Sequence, residues 1–161
     1  MRRWLSKQGL CMSDSAFGFE QSKHSPGFLL WQTTITWQRL IKQALEPYDI
    51  AHAQFVIMVC LLWFEEQHIV PTQVLMVKQT KLDKMTVSKS LKKMTVRGLI
   101  ERVEHEYDTR AKAVHLTDKG KILAGTLVPL VENIDKQFFG QLSQLGQQDL
   151  INVLAKLIAP Y

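Results

Sequence analysis

The spacing of apolar residues indicates that most of this chain is helical. Apolar side chains recur three or four positions apart over long stretches, as they do on one face of an amphipathic helix. This spacing predicts helices over residues 28–45, 51–67, 117–139 and 147–159, with a break at residues 140–146. A buried strand is the alternative for the apolar run from Phe55 to Phe64, but the surrounding segment lacks turn residues, which favours a helix.

Shorter elements joined by turns lie between these long helices. Thr72 can cap a short helix that has Val74, Leu75 and Val77 on its buried face. A tight turn over residues 80–82 then leads into a second short helix. Two short helices joined by such a turn form a helix-turn-helix.

A β-hairpin is predicted directly after the second short helix. Strand-like segments at residues 99–105 and 113–116 flank a polar tip at residues 106–110. A hairpin in this position is a wing. The predicted fold class is therefore α+β, mainly α with a small β-hairpin wing, and the architecture is a winged helix-turn-helix.

The helix between Asp83 and Gly98 has clear signals at both ends. Asp83 can accept the free amide hydrogens of the first turn, and Gly98 suits the left-handed position after the last turn. Val87, Leu91 and Met94 form a narrow apolar stripe that must face a core. The side turned away from that core contains Met85, Thr86, Ser88, Lys89, Lys92 and Lys93.

Positive charge is concentrated around this helix. Residues 78–112 contain ten Lys and Arg against five Asp and Glu, so this segment carries the whole net charge of +5. Lys84, Lys89 and Lys93 have no acidic partner at helical spacing and repel one another unless an outside polyanion neutralises them. A solvated surface helix is the alternative, but the flanking helix and wing favour nucleic-acid binding.

The remaining composition indicates no other class of site. Cys11 and Cys60 are far apart and lack metal-type spacing, so neither a disulfide framework nor a structural zinc site is expected. No nucleophile–base set, phosphate loop or paired carboxylates indicates an enzyme or a cofactor. The longest apolar run is too short to span a bilayer, and the start lacks a signal-peptide pattern, so we expect a cytoplasmic protein.

Three motifs together make the sequence similar to the MarR (multiple antibiotic resistance regulator) family of winged-helix transcription factors. They are residues 82–88 with Arg97-Gly98-Leu99-Ile100, then Asp108-Thr109-Arg110-Ala111-Lys112, and then Leu116-Thr117-Asp118-Lys119-Gly120. The resemblance runs from about residue 27 to residue 159. It implies a homodimer that binds a pseudo-palindromic site on double-stranded DNA, usually as a repressor controlled by a small molecule or an oxidant.

The resemblance also implies a domain organisation. Residues 28–159 form a single MarR-type domain, preceded by an N-terminal extension over residues 1–27. The winged lobe spans about residues 51–116, and the dimerisation helices span about residues 28–45 and 117–159. Met12 is an alternative start for the chain.

Nine residues form the predicted DNA-binding set: Lys84, Thr86, Ser88, Lys89, Lys92, Lys93, Asp108, Arg110 and Lys112. Thr86, Lys89 and Lys93 are expected in the major groove, although which lysine reads a base and which neutralises a phosphate stays open. Arg110 is expected in a narrow minor groove, oriented by Asp108, with an exposed hairpin salt bridge as the alternative. The other members are expected near base edges or phosphates.

The resemblance also bears on how DNA binding is controlled. A small aromatic or phenolic molecule is a candidate effector. Hydroperoxide sensors of the family carry a reactive cysteine just before an aromatic residue at the start of the first helix, where this chain has Gly27 before Phe28. Two alternative functions stay open: a winged-helix protein-interaction module without DNA binding, and a thiol-based redox sensor that uses Cys11.

Overall fold

The structure, a computed structural model, describes residues 25–104 and 112–159. Within these ranges the chain forms six α-helices, one short 3-10 helix (Glu46–Tyr48) and two strands. The main elements are α1 (Pro26–Leu45), α2 (His52–Glu66), α3 (Gln73–Thr80), α4 (Lys84–Val96), β1 (Ile100–Glu104), β2 (Lys112–Leu116), α5 (Asp118–Phe139) and α6 (Gln144–Ile158). This architecture confirms the predicted fold class.

The described residues divide into two units, one with residues 25–36 and one with residues 37–104 and 112–159. In the first unit the structure describes the beginning of α1, where large apolar side chains are exposed to solvent. They are Phe28, Leu29, Leu30, Trp31 and Ile35.

The core of the second unit forms around α2. Ile57, Met58 and Leu61 of this helix are essentially inaccessible to solvent, so the helical interpretation of the run from Phe55 to Phe64 is confirmed. Burial of each such side chain stabilises the fold by about 1.5–3 kcal/mol relative to exposure. Side chains from α4, the hairpin and α5 complete the same core.

A polar cluster lies at one edge of this core. The Trp37 indole N–H donates to Asp135 Oδ1 at 2.7 Å, and the Trp37 ring packs edge-on against His52 with ring centroids 5.3 Å apart. Burial lowers the pKa of His52, an effect that the negative charge of Asp135 partly offsets.

The predicted hairpin is present. Strands β1 and β2 pair antiparallel, with Ile100 opposite Leu116 and Glu104 opposite Lys112. The Val114 amide N–H also donates to the Pro71 carbonyl at 2.9 Å, which ties β2 to the segment before α3. The polar tip predicted at residues 106–110 lies outside the described residues.

The expected buried face of α3 is partly wrong. Thr72 caps the helix as predicted, accepting the Leu75 amide N–H at 3.3 Å, but Val74 is 79 % exposed. The fully buried residue is Met76, with Leu75 partly buried. An eight-residue helix has room for only two turns, so its inward side is set by the packing against α2 and α4 rather than by a repeated stripe.

The expected break before the last helix is too long. Helix α6 begins at Gln144, because the Ser143 hydroxyl accepts the Gly146 amide N–H at 3.2 Å and caps the helix. Gly146 therefore lies inside the first turn rather than in a loop. None of the residues of α6 is buried. Among the described residues, no single helix combines the length and apolar character needed to cross a membrane.

Candidate nucleic-acid interface

Helix α4 is capped at its N-terminus as the sequence predicts. The Asp83 carboxylate accepts the Thr86 amide N–H at 2.8 Å and the Thr86 hydroxyl at 2.6 Å. The hydrogen bond from the Thr86 hydroxyl is the main reason why the pKa of Asp83 lies below its usual value. The first turn of α4 therefore has a fixed geometry and an ionised cap at neutral pH.

The turn between α3 and α4 is short and closed by its own backbone. Lys81 ends α3 in the left-handed conformation (φ 57°), and its amide N–H donates to the Val77 carbonyl. The Thr80 hydroxyl donates to the Met76 carbonyl at 2.7 Å and accepts the Leu82 amide N–H at 3.2 Å. These bonds fix the orientation of α4 relative to α3 in a helix-turn-helix.

The apolar stripe of α4 is buried as predicted. Val87, Leu91 and Met94 have no exposed surface, and Ser90, which the predicted stripe does not include, is buried beside them. Because the stripe is held in the core, the opposite side of α4 must face outward. On that side the lysines Lys84, Lys89, Lys92 and Lys93 are exposed and Thr86 and Ser88 are half-buried.

The outward side of α4 carries positive charge that no acidic side chain among the described residues pairs with. Within the described parts of the chain, none of the four exposed lysines of α4 forms an ion pair. Lys112 is also exposed, at the start of β2. The remaining two members of the predicted set, Asp108 and Arg110, lie outside the described residues. Such a surface suits a polyanion.

Arg97 has a structural role that the sequence did not reveal. Its guanidinium donates to the carbonyls of Tyr48 and Asp49, and lies 3.6 Å from the Asp49 carboxylate. The partner residues are about fifty positions earlier in the chain, so no local pattern could have identified them. Arg97 therefore anchors the C-terminal end of α4 to the segment that follows α1.

The sequence Leu116-Thr117-Asp118-Lys119-Gly120 forms a second contact with the end of α4. The Thr117 hydroxyl donates to the Gly98 carbonyl at 2.7 Å and accepts the Gly120 amide N–H at 3.1 Å. Gly98 has φ of +67°, as predicted for the position after α4. A Cβ atom at Gly120 would lie 2.1 Å from the Leu99 carbonyl oxygen, so only glycine permits this close contact.

A shallow cavity of about 360 Å³ lies on the helix-turn-helix surface. Its lining is mainly apolar and comes from Gln73, Val74, Val77, Lys78 and Lys84. The Arg102 guanidinium of β1 donates to Gln73 Oε1 at 2.8 Å, which links this surface to the wing. The exposed side of α3 thus places a mainly apolar recess, lined in part by Lys78 and Lys84, next to the exposed lysines of α4.

The described residues provide little reactive chemistry. Cys60 is half-buried among apolar neighbours, and burial raises the pKa of its thiol, which disfavours the reactive thiolate. No group of three potential metal ligands occurs in residues 25–104 and 112–159. Cys11 lies outside these ranges.

A helix-turn-helix followed by a hairpin, with an exposed cationic helix, defines the winged-helix class of DNA-binding proteins. Comparison with known proteins identifies the family within this class. The family model for the ArnR1-like, winged-helix domain matches residues 46–133. YdcH of Bacillus subtilis, an HTH-type transcriptional regulator, is 31 % identical over 140 residues, which cover 87 % of this chain and 94 % of YdcH.

Solved structures share the same fold. BpsR of Bordetella bronchiseptica, whose DNA binding is regulated by 6-hydroxynicotinic acid, is 25 % identical with a TM-score of 0.78, over 88 % of this chain and 99 % of BpsR. A variant of Escherichia coli MarR in complex with operator DNA gives a TM-score of 0.72 at 23 % identity, over 82 % and 92 % of the two chains. The present chain belongs to the MarR family of winged helix-turn-helix transcriptional regulators, which are DNA-binding proteins and not enzymes.

Proposed function

We propose that this protein is a homodimeric repressor that binds a pseudo-palindromic site on double-stranded DNA and is released by a small-molecule effector. The observation that carries the proposal is the division of α4 into a fully buried apolar stripe and an opposite side of exposed lysines, none of which forms an ion pair with a described residue. A helix fixed in this way presents its cations to the outside in one orientation, as a recognition helix must.

The proposed contacts follow the exposed side of α4. Thr86, Lys89 and Lys93 enter the major groove, where lysine can donate to guanine O6 and N7 and threonine can bond a base or a phosphate. The other members of the set, Lys84, Ser88, Lys92 and Lys112, bind phosphates or base edges at the margins. Arg110, oriented by Asp108, enters the minor groove from the wing tip.

The dimer is supported by the apolar surface of α6. Leu145, Ile151 and Leu157 are each more than half exposed, although a soluble helix usually buries such residues. A second copy of the chain would cover them and, through a two-fold axis, direct two α4 helices toward successive major grooves about 34 Å apart. A pseudo-palindromic site matches this symmetry.

The effector is proposed from a second cavity, of about 300 Å³, beside the wing. Leu61, Ile69, Val70, Pro71 and Leu116 give it apolar walls, and Glu65, His68 and His115 add polar groups. A ligand here would contact β2 and so change the position of the wing. The reported regulation of BpsR by 6-hydroxynicotinic acid makes a small aromatic acid the first class of compound to screen.

Gel shifts on the promoter region of the protein's own gene test the proposal. Lys89→Ala and Arg110→Ala should each weaken binding about tenfold or more, because each removes a charged contact from both subunits. Lys156→Ala removes a lysine from α6 and is the matched control, expected to bind like the wild type. Equal binding by all four proteins would contradict the proposal, and salt-insensitive capture of a protein partner would favour the interaction-module alternative.

Release by a ligand is measured separately. Fluorescence anisotropy of a labelled operator should fall when an aromatic acid binds, and His115→Ala should raise the concentration required. If no compound of this class lowers the anisotropy, the effector part of the proposal is wrong and the DNA-binding part stands.

A further inference from the structure

Asp83 and Thr86 form a hydrogen-bonded pair in the first turn of α4. Thr86 Oγ1 lies 2.6 Å from Asp83 Oδ2, and the Thr86 amide N–H donates to Asp83 Oδ1 at 2.8 Å. The pKa of the Asp83 carboxyl is lowered, so the group is ionised at neutral pH. An ionised carboxylate only accepts hydrogen bonds, so the Thr86 hydroxyl must be the donor in the 2.6 Å contact.

This pairing determines what Thr86 can offer to another molecule. A threonine hydroxyl has one proton and two lone pairs. Because its proton is used by Asp83, the hydroxyl presents only lone pairs, next to its methyl group. Thr86 is half-buried, so part of the side chain is accessible from outside.

The edges of the bases in the major groove respond differently to such a group. Adenine N6 and cytosine N4 are donors, which a lone pair can accept, whereas guanine presents the two acceptors O6 and N7. A lone pair facing guanine would leave both partners without a hydrogen bond. An unmade bond of this kind lowers affinity more than a made bond raises it.

We infer that the Asp83–Thr86 pair makes Thr86 a specificity-determining residue that selects against guanine and favours adenine or cytosine at the base it meets. The inference rests on the proposed function, because it requires α4 in the major groove. Lys89 and Lys93 on the same side carry only donors, which fit guanine. Each half-site should therefore contain one position with adenine or cytosine, contacted by Thr86, and other positions at which guanine is tolerated.

The test is selection of bound duplexes from a random library by the full-length wild type and three variants. Asp83→Asn keeps the cap, since asparagine caps helices as well as aspartate. Its amide group donates to Thr86 Oγ1, so the hydroxyl proton turns outward and becomes a donor. At one base pair in each half-site, the ratio of guanine to adenine should rise by about tenfold. This is the change in relative affinity that corresponds to roughly one hydrogen bond.

Two substitutions at Thr86 provide the matched comparison. Thr86→Val keeps the shape and removes the hydroxyl, so discrimination at this base pair should fall by about three- to tenfold without a new preference for guanine. Thr86→Ser keeps the hydroxyl and the pairing with Asp83, so its preference should stay that of the wild type.

The outcomes separate this inference from the function on which it rests. If the wild type selects a defined site and Asp83→Asn and Thr86→Val select the same bases at every position, the inference is wrong and the DNA-binding proposal stands. If the wild type enriches no sequence at all, the proposed function fails and takes the inference with it.

Discussion

Helices α4 and α6 are similar in construction but leave opposite kinds of surface uncovered. Each is amphipathic, and a side chain at its N-terminus, Asp83 or Ser143, accepts a backbone N–H of the first turn. Helix α4 buries its apolar stripe completely in its own chain and exposes lysines. Helix α6 buries no residue, and Leu145 and Leu157 are 73 % and 60 % exposed.

The exposed surfaces of the two helices gain binding free energy from a partner in different ways. Exposed lysines are already well hydrated, so a partner of α4 adds affinity mainly through counterion release from a polyanion, which weakens as salt rises. Exposed leucines are not well hydrated, and covering each one contributes up to about 1.5–3 kcal/mol. We therefore expect α4 to control binding to DNA and α6 to control assembly.

The largest effect should follow from placing charge on the apolar side of α6. The double change Ile151→Glu and Leu157→Glu should raise the dissociation constant of the dimer by at least about 100-fold, because each carboxylate would have to be desolvated in the interface. Sedimentation at micromolar concentration measures the change as a shift from dimer to monomer. Operator affinity should fall with it, since one lobe alone contacts half of the site.

The matched control for this change is Lys156→Glu, which adds negative charge to the polar side of the same helix. It should leave the dimer intact. If the wild-type chain itself sediments as a monomer, the apolar side of α6 has no second copy as its partner. The expectation that α6 controls assembly would then be wrong.

The second prediction concerns the contact that holds the far end of α4. Gly120→Ala should lower the free energy of unfolding by about 3 kcal/mol, because the new Cβ would overlap with the Leu99 carbonyl, a backbone atom that cannot move independently. Urea unfolding at a fixed protein concentration measures the loss. Gly125→Ala in the same helix has open space around its Cβ and should stabilise by about 0.5–1 kcal/mol. Equal effects of the two changes would mean that the contact at Gly120 is relaxed in solution.

Features of α4 that depend on neighbouring residues could be predicted from the sequence. The cap by Asp83, the buried stripe of α4 and the positive φ of Gly98 all follow from rules that connect residues within one or two turns. These features were predicted correctly. The basic surface was also found, because it depends on charges that lie close together along the chain.

The features that were missed depend on distant residues or on competing local signals. Arg97 has its partners in the segment after α1, and Gly120 is required by the Leu99 carbonyl, so each role appears only after the chain has folded. Gly146 lies inside α6 although glycine is a weak helix former, because the cap by Ser143 prevails. The exposed side of Val74 could not be predicted, because the two turns of α3 give too little periodicity.

The third prediction concerns the positive charge on the exposed side of α4. Lys93→Gln removes one cation from each subunit, and if that lysine neutralises a phosphate, the slope of log K against log salt should become shallower by about 1.8 for the dimer. Anisotropy titrations at several salt concentrations measure the slope. Lys156→Gln should leave it unchanged. A slope that does not change in Lys93→Gln, together with an altered base preference, would assign Lys93 to base reading instead.

The smallest effect is expected at His52, in the polar cluster at the edge of the core. Burial keeps the folded-state pKa of His52 below the unfolded value of about 6.5. As the pH falls from about 7.5 to about 5.5, the unfolded chain therefore binds a proton before the folded chain does, and stability is lost. In His52→Gln this loss should be smaller than in the wild type, as measured by urea unfolding at the two pH values.

Asp135 provides an independent test of the same site, because its negative charge raises the pKa of His52 against the effect of burial. Asp135→Asn keeps an acceptor for the Trp37 indole N–H but removes the charge. The folded-state pKa of His52 should then fall further. Asp135→Asn should therefore lose more stability at low pH than the wild type does. If His52→Gln and Asp135→Asn instead change the loss in the same direction, burial of the imidazole does not control its protonation. The pH dependence would then have to arise at another group of the lobe.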